Sequence, residues 1–313
     1  TEDSVDALTL ASPVNTGPSL NTMPGAATVA VDAFTSGKGG SGGETGAGIG
    51  KGTGTRTFFG SSEQPREAFT LKGTFYDLKQ TRDRKPSDVM KGNHFYNYQD
   101  AIRKFVDGGW EASFLSGYFQ PKVPLFTTQV FIPQINADLG PKAFNVEKEV
   151  EPMLWVVHYK GMMKAAHTGT FRFAGQAGEI LIVRFQGHTV LDACYSEIRH
   201  SREHAASNWK PKDTSVEEKY NAFGKGTEWP KETLVFGDWM EFEKDKTYPL
   251  EILIGERGGG TFNAWLLIQH QGEPIQVDAS GCPILSLFST TGKAEQPPDY
   301  KPQDGPAKPK LFY

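Results

Sequence analysis

From Phe69 to Phe288 the chain is built of short runs of β-branched and aromatic residues broken by Gly, Pro and Asp. "FTLKGTFYDL" opens the series. "MLWVVHYKG", "GTFRFAG", "EILIVRFQG", "HTVLDACY", "YPLEILIGE" and "FNAWLLIQHQ" follow in order. Runs of this length and composition predict strands, and their spacing predicts a sandwich or barrel rather than a helical fold. Alternation assigns faces: Tyr248, Leu250, Ile252 and Ile254 share one side of a strand, and Phe171 and Phe173 share another. Gln186-Gly187 between two runs reads as a tight hairpin, with Gly supplying positive φ. Helical spacing is rarer. It places Ala101, Ile102, Phe105 and Val106 on one face of a helix over 97–106 that stops at Asp107-Gly108-Gly109. A second short helix is expected over 196–206. The fold class is therefore mainly β, an antiparallel β-sandwich with minor helical insertions, and no solenoid or propeller repeat is present.

The pattern fades at both ends. Residues 1–60 are rich in Gly, Ser and Thr and hold few large apolar side chains, too little to offset the entropy of ordering, so they read as an extended arm. Residues 293–313 carry Pro297, Pro298, Pro302, Pro306 and Pro309 and read as an extended Pro-rich tail. The sandwich is expected over 61–292.

Among 313 residues, 35 are Gly, and counting them as apolar brings the composition into the ordinary globular range. A net charge of -4 supplies no basic field, which argues against nucleic acid as a partner. No apolar run approaches the roughly 20 residues of a membrane span. The chain opens at Thr1 without Met, which leaves room for a signal or anchor upstream. Cys194 and Cys282 are too few for a disulfide scaffold; a single bridge and two separate buried thiols both remain open.

Within the strand region, Trp155 and Tyr159 lead Gly161, and Gly169-Thr170-Phe171-Arg172-Phe173 follows. Next come a hairpin containing "RFQGHTVLD" and then "KTYPLEILIGERGGGTFNAWLLIQ". This order, over about 153–270, resembles the domain family named after anthrax toxin protective antigen. That family is a β-sandwich of bacterial and fungal surface proteins, toxins and glycosidases. The resemblance implies a sandwich fold and a cell-envelope, periplasmic or extracellular location. Calcium-dependent lectins of the family carry adjacent aspartates in the turn after the Phe-x-Phe strand. Here that turn reads Gly175-Gln176-Ala177-Gly178-Glu179, with one carboxylate. Hard cations need several oxygen ligands, so calcium-mediated sugar binding is not expected, and Gln176 and Glu179 are what the turn offers a ligand.

The Gly-rich arm imitates nucleotide motifs without their context. Gly37-Lys38-Gly39-Gly40-Ser41-Gly42 satisfies G-x-G-x-x-G, but no helical run follows to present its amides to a pyrophosphate. Gly50-Lys51 is followed by Gly52 where a P-loop needs Ser or Thr. Gly46, Gly48, Gly50, Gly52 and Gly54 keep strict period two, so an extended arm would have one bare backbone face. Such a face can add along a sheet edge, including that of a neighbouring subunit. A flexible tether is the default reading of such a stretch, and ordering along a sheet edge is the hypothesis set against it.

His200-Ser201-Arg202-Glu203-His204 matches the inverted zinc-peptidase motif H-x-x-E-H. On a helix both imidazoles could share a metal beside Glu203, but no third ligand is evident and a solvated polar helix or loop is the favoured reading. His94, His158, His167, His188 and His270 sit among strand or turn signals and read as structural, and no Ser or Cys lies in a nucleophile elbow. Trp209 and Trp229, beside Pro211 and Pro230, are the candidates for an exposed aromatic platform. Together these features predict a non-enzymatic module without cofactor. Its expected role is assembly with partner subunits through the arms, as a homo-oligomer or in a larger complex, with calcium-independent glycan binding as the alternative and a zinc hydrolase as a distant third.

Overall fold

A computed structural model of the chain describes residues 56–64, 69–213, 216, 233–278 and 283–295. The glycines from Gly46 to Gly54, Trp229, Cys282 and the tail beyond Glu295 lie outside the described residues. The first ten strands are β1 (Arg56–Thr57), β2 (Gly60–Ser61), β3 (Leu71–Thr81), β4 (Tyr118–Phe119), β5 (Leu125–Thr127), β6 (Phe131–Asn136), β7 (Trp155–Lys164), β8 (Gly169–Ala177), β9 (Ile180–Phe185) and β10 (His188–Asp192). The others are β11 (Val235–Phe236), β12 (Met240–Phe242), β13 (Thr247–Glu256), β14 (Thr261–His270), β15 (Gln276–Val277), β16 (Pro283–Ile284) and β17 (Ser286–Leu287). Helices α1 (His94–Asp107), α2 (Leu139–Ala143) and α3 (Ser196–Arg199), with 3-10 turns at Asp88–Met90 and Ala112–Phe114, complete the described regular structure.

One sheet runs β1-β2-β5-β3-β7-β13-β9-β10, with β4 also on β3. Strands β15 and β16 pair by themselves, and the other large sheet runs β11-β8-β14-β17, with β12 on β8 and β6 on β14. Their inner faces meet in one core. Phe75, Val157, Tyr159, Leu181, Leu250, Ile252 and Ile254 from the first sheet pack with Phe171, Phe173, Phe262, Leu266 and Ile268 from the second. The face assignments made from alternation hold: Tyr248, Leu250, Ile252 and Ile254 all point inward, as do Phe171 and Phe173. Strand β3, drawn from the segment before the family-like stretch, sits beside β7 in the middle of the first sheet, so that segment is woven into the same sandwich.

The outer face of the first sheet is covered as well. Helix α1 lays Tyr98, Ile102, Phe105 and Val106 on Tyr76, Val156, Ile182 and Leu253, the i, i+4, i+7, i+8 stripe of a helix on a sheet. It begins three residues before the predicted start because the Asn93 side chain accepts from the Tyr96 amide at 3.2 Å. Burial on two faces explains why β7, β9 and β13 read as near-continuous apolar runs. The polar side chains on that outer face are paired: His158 Nε2 lies 2.8 Å from Glu251 Oε2, and Arg184 Nη1 donates to Glu251 Oε1 at 2.8 Å.

Three elements differ from the sequence reading. The sheet begins at Arg56, inside the segment read as an arm. Phe59 is fully buried against Trp155 and Phe262, with ring centroids 5.9 and 6.0 Å away, and the Tyr159 hydroxyl donates to its carbonyl at 2.8 Å. The helix expected over 196–206 is α3 alone. Beyond Arg199, Ser201 Oγ accepts from the His204 amide at 3.0 Å, and Ala206 turns into the core. Local side-chain bonds of this kind compete with helical ones. Finally, Gly175, Gln176 and Ala177 belong to β8, leaving Gly178-Glu179 as the turn into β9. The expected hairpin at Gln186-Gly187 is present, with φ of 48° and 84°, the signature of a type I′ turn.

Candidate functional site: the loop end of the sandwich

Two connections meet at one end of the sandwich. Gly178-Glu179 carries β8 into β9, and Arg257-Gly258-Gly259-Gly260 carries β13 into β14. Pairing brings them together, since the Gly178 amide donates to the Asn263 carbonyl at 3.0 Å. Helix α3 and the first turn of α1 flank them. The Tyr195 amide, just before α3, donates to the Glu179 carbonyl at 2.8 Å.

Arg257 is the hub. Its Nε lies 3.1 Å from Glu179 Oε2, its Nη2 lies 3.7 Å from Glu197 Oε2, and its guanidinium carbon stands 5.5 Å from the Phe95 ring centroid. The Arg257 and Glu179 side chains are mostly buried, at 14% and 15% exposure, whereas Glu197 is 71% exposed. Phe95 is also exposed, although it lies seven residues before Ile102 and so in line with the buried stripe, because it sits in the first turn of α1. A held guanidinium, the exposed carboxylate paired with it and an aromatic face therefore share one surface. A Cβ added at Gly260 would meet nothing within 4 Å, so the Gly-rich turn leaves its backbone open to an approaching ligand.

Beneath them lies Glu256. Its Oε1 accepts from the Gly258 and Gly259 amides at 2.9 and 2.6 Å, while its Oε2 is buried with no hydrogen-bond partner among the described residues. Burial, and after it the neighbouring Glu179 charge, push the Glu256 carboxyl up to about 8. Tyr98, with its hydroxyl donating to the Trp155 carbonyl at 2.9 Å, packs close to the same strand end. A Cβ at Gly255 would fall 2.5 Å from that hydroxyl.

The geometry does not fit calcium. The turn offers Glu179 alone, its carboxylate is engaged by Arg257, and no group of three His, Cys, Asp or Glu is placed to hold a metal among the described residues. The positive charge at this end belongs to the chain itself.

The other candidate residues are dispersed. Gln176 is buried on the outer face of the second sheet, where it accepts from Asn263 Nδ2 at 2.5 Å. Trp209 is half-buried against the core, with Nε1 donating to Asp238 Oδ2 at 3.2 Å. His200 and His204 are spent on different partners. His200 Nδ1 meets Ser196 Oγ at 3.1 Å, whereas His204 stacks on Tyr96 at 4.2 Å and faces Asp100 at 3.2 Å. The helix that the zinc motif requires is absent here. Cys194 is buried and has no disulfide partner among the described residues, and its thiol is held well above its ordinary pKa by burial and then by Asp192. Among the described residues no helix is long and apolar enough to cross a membrane.

Of the site's members, the sequence flagged only Glu179. Arg257, Glu256, Glu197 and Phe95 were not singled out. The charged pair ahead of three glycines in "GERGGGT" was the available signal, a strand end followed by an open turn.

No known family profile matches the chain, and no curated protein matches it. Among solved structures it is similar to a PA14 sugar-binding domain from an RTX adhesin, at 12% identity and TM-score 0.38, covering 72% of this chain and 97% of that one. It is also similar to the epithelial adhesin 6 A domain from Candida glabrata in complex with Galb1-3GlcNAc, at 13% identity and TM-score 0.35, covering 79% and 94%. A third is an anti-sigma factor domain-containing protein from Clostridium clariflavum, at 10% identity and TM-score 0.34, covering 74% and 48%. At these identities and scores the likeness carries no information on ligand or role.

Proposed function

We propose that the protein is a non-enzymatic glycan-binding module of the cell envelope or exterior, and that its loop end recognises sugar without calcium. The observation that supports this most is Arg257, held between Glu179 and Glu197 beside the exposed ring of Phe95. A fixed guanidinium donates to sugar hydroxyls, an exposed carboxylate accepts from them, and an aromatic ring covers the apolar face of a pyranose. Such sites need few polar groups, provided they are preorganised. A glycan array probed in EDTA tests the reading. Arg257→Ala is expected to weaken the best hit by roughly 10-fold or more, the usual cost of a charged hydrogen bond. Phe95→Ala, at an exposed position, separates loss of binding from loss of fold.

Assembly through the N-terminal arm is a second reading, and one feature favours it. The hairpin β1–β2, which follows the Gly-rich stretch directly, already extends the first sheet at its β5 edge through Ser61 and Phe126. Continued strand addition by the arm would use the same backbone chemistry. Size measurement with and without residues 1–55 discriminates the two.

A further inference from the structure

We infer a second ligand site at the opposite end of the sandwich, a cavity of about 560 Å³ that takes a neutral polyhydroxylated ligand of one or two rings, with the His270 imidazole as its stacking surface. It lies where β8 begins and β14 ends, at the Phe171–His270 pair, the length of β14 from Arg257 and so about 30 Å away at 3.3 Å per residue. Its volume falls within the range of small-molecule sites, and its wall joins polar side chains to an apolar floor.

The imidazole is fixed in three ways. Phe171 stacks beneath it, with centroids 4.6 Å apart and planes at 29°, and Glu273 Oε1 stands 3.5 Å from Nδ1. Gly169 presses so close that a Cβ there would lie 2.6 Å from Nε2. Yet the side chain remains 39% exposed. A ring locked from one side and open on the other is a preorganised platform. Thr168 Oγ1 accepts from the Lys244 amide at 2.9 Å, which leaves its own proton to donate toward a ligand, and the exposed Glu273 carboxylate offers acceptors.

Charge selects the class. No Lys or Arg belongs to the described lining, so a phosphate or carboxylate would meet no fixed cation. The single carboxylate, Glu273, is too exposed to hold a cation strongly. Hydroxyl, imidazole and carboxylate groups around the rim suit a ligand made of hydroxyls.

The test uses the full chain and methyl glycosides of the common hexoses and N-acetylhexosamines, followed by NMR of the His270 ring protons. Comparison with His270→Gln identifies those signals. At least one glycoside is expected to give a saturable shift with Kd on the order of 1 mM. Thr168→Val is expected to weaken it about 5-fold, the worth of one neutral hydrogen bond, with the fold checked by circular dichroism. Arg257→Ala and Phe95→Ala should leave the shift unchanged, which separates this site from the loop end. Three results would each overturn the inference: no shift with any glycoside at tens of millimolar, a shift indifferent to Thr168→Val, or a shift abolished by Arg257→Ala. In the first case, array binding that still depends on Arg257 would sink the cavity alone.

Discussion

Replacing Glu256 with Gln probes the electrostatics under the loop end. In the folded chain this carboxyl is pushed up to about 8, chiefly by burial and then by Glu179, from an ordinary value of 4.5. Between those two pH values the folded state keeps a proton that the unfolded chain has released. The folded state therefore binds more protons, and the group's contribution to stability is present below pH 4.5 and lost as pH rises toward 8. At about 1.4 kcal/mol per pH unit the loss is on the order of 4 kcal/mol across the window. Gln retains the acceptor that receives the Gly258 and Gly259 amides and carries no charge at either limit. Urea unfolding of both proteins at pH 5 and pH 8 isolates the effect, because the other titrating groups cancel in the difference of differences. The variant should gain roughly 2–4 kcal/mol on the native protein between pH 5 and pH 8. Parallel pH profiles would refute the reasoning, for they would mean that Glu256 ionises in the folded state as freely as in water.

Other outcomes follow from the packing. Phe59→Ala should cost about 3–5 kcal/mol in denaturant unfolding, since it empties a fully buried site between Trp155, Phe144 and Phe262. Gly73→Ala sets a methyl 2.5 Å from the Tyr159 ring, and an overpacking penalty of about 1–3 kcal/mol is expected in the same assay. Elemental analysis of the purified chain should find no stoichiometric zinc, and His204→Ala should leave the metal content unchanged; one bound zinc per chain, lost in that variant, would restore the peptidase reading.

Much of the sandwich was legible because its main strands are dense in β-branched and aromatic residues, and because β13 combines an inward alternating face with a buried outer one. The α1 stripe was legible from spacing: Ala101, Ile102, Phe105 and Val106 fall on one side of a helix and on both sides of an extended segment. The site was much less so. Glu179 and Arg257 meet only because β9 and β13 pair, which no local pattern encodes. Phe95 looks like any aromatic in the sequence, and its exposure follows from its place in the first turn of α1, at the end of the buried stripe. The residues from His200 to His204 misled in the other direction. Their letters satisfy a helical motif, but side-chain bonds to Ser196 and Asp100 hold the two imidazoles apart in role. Phe59 was lost among the glycines before it, since composition averaged over 1–60 hides two adjacent phenylalanines.

Titration calorimetry with the strongest array ligand, run on the native protein in EDTA and again in excess calcium, bears most directly on the claim that the loop end holds sugar with its own guanidinium. Equal affinity in both buffers, with heat lost in Arg257→Ala, is the predicted result. Binding that vanishes in EDTA, or that survives Arg257→Ala undiminished, would contradict it.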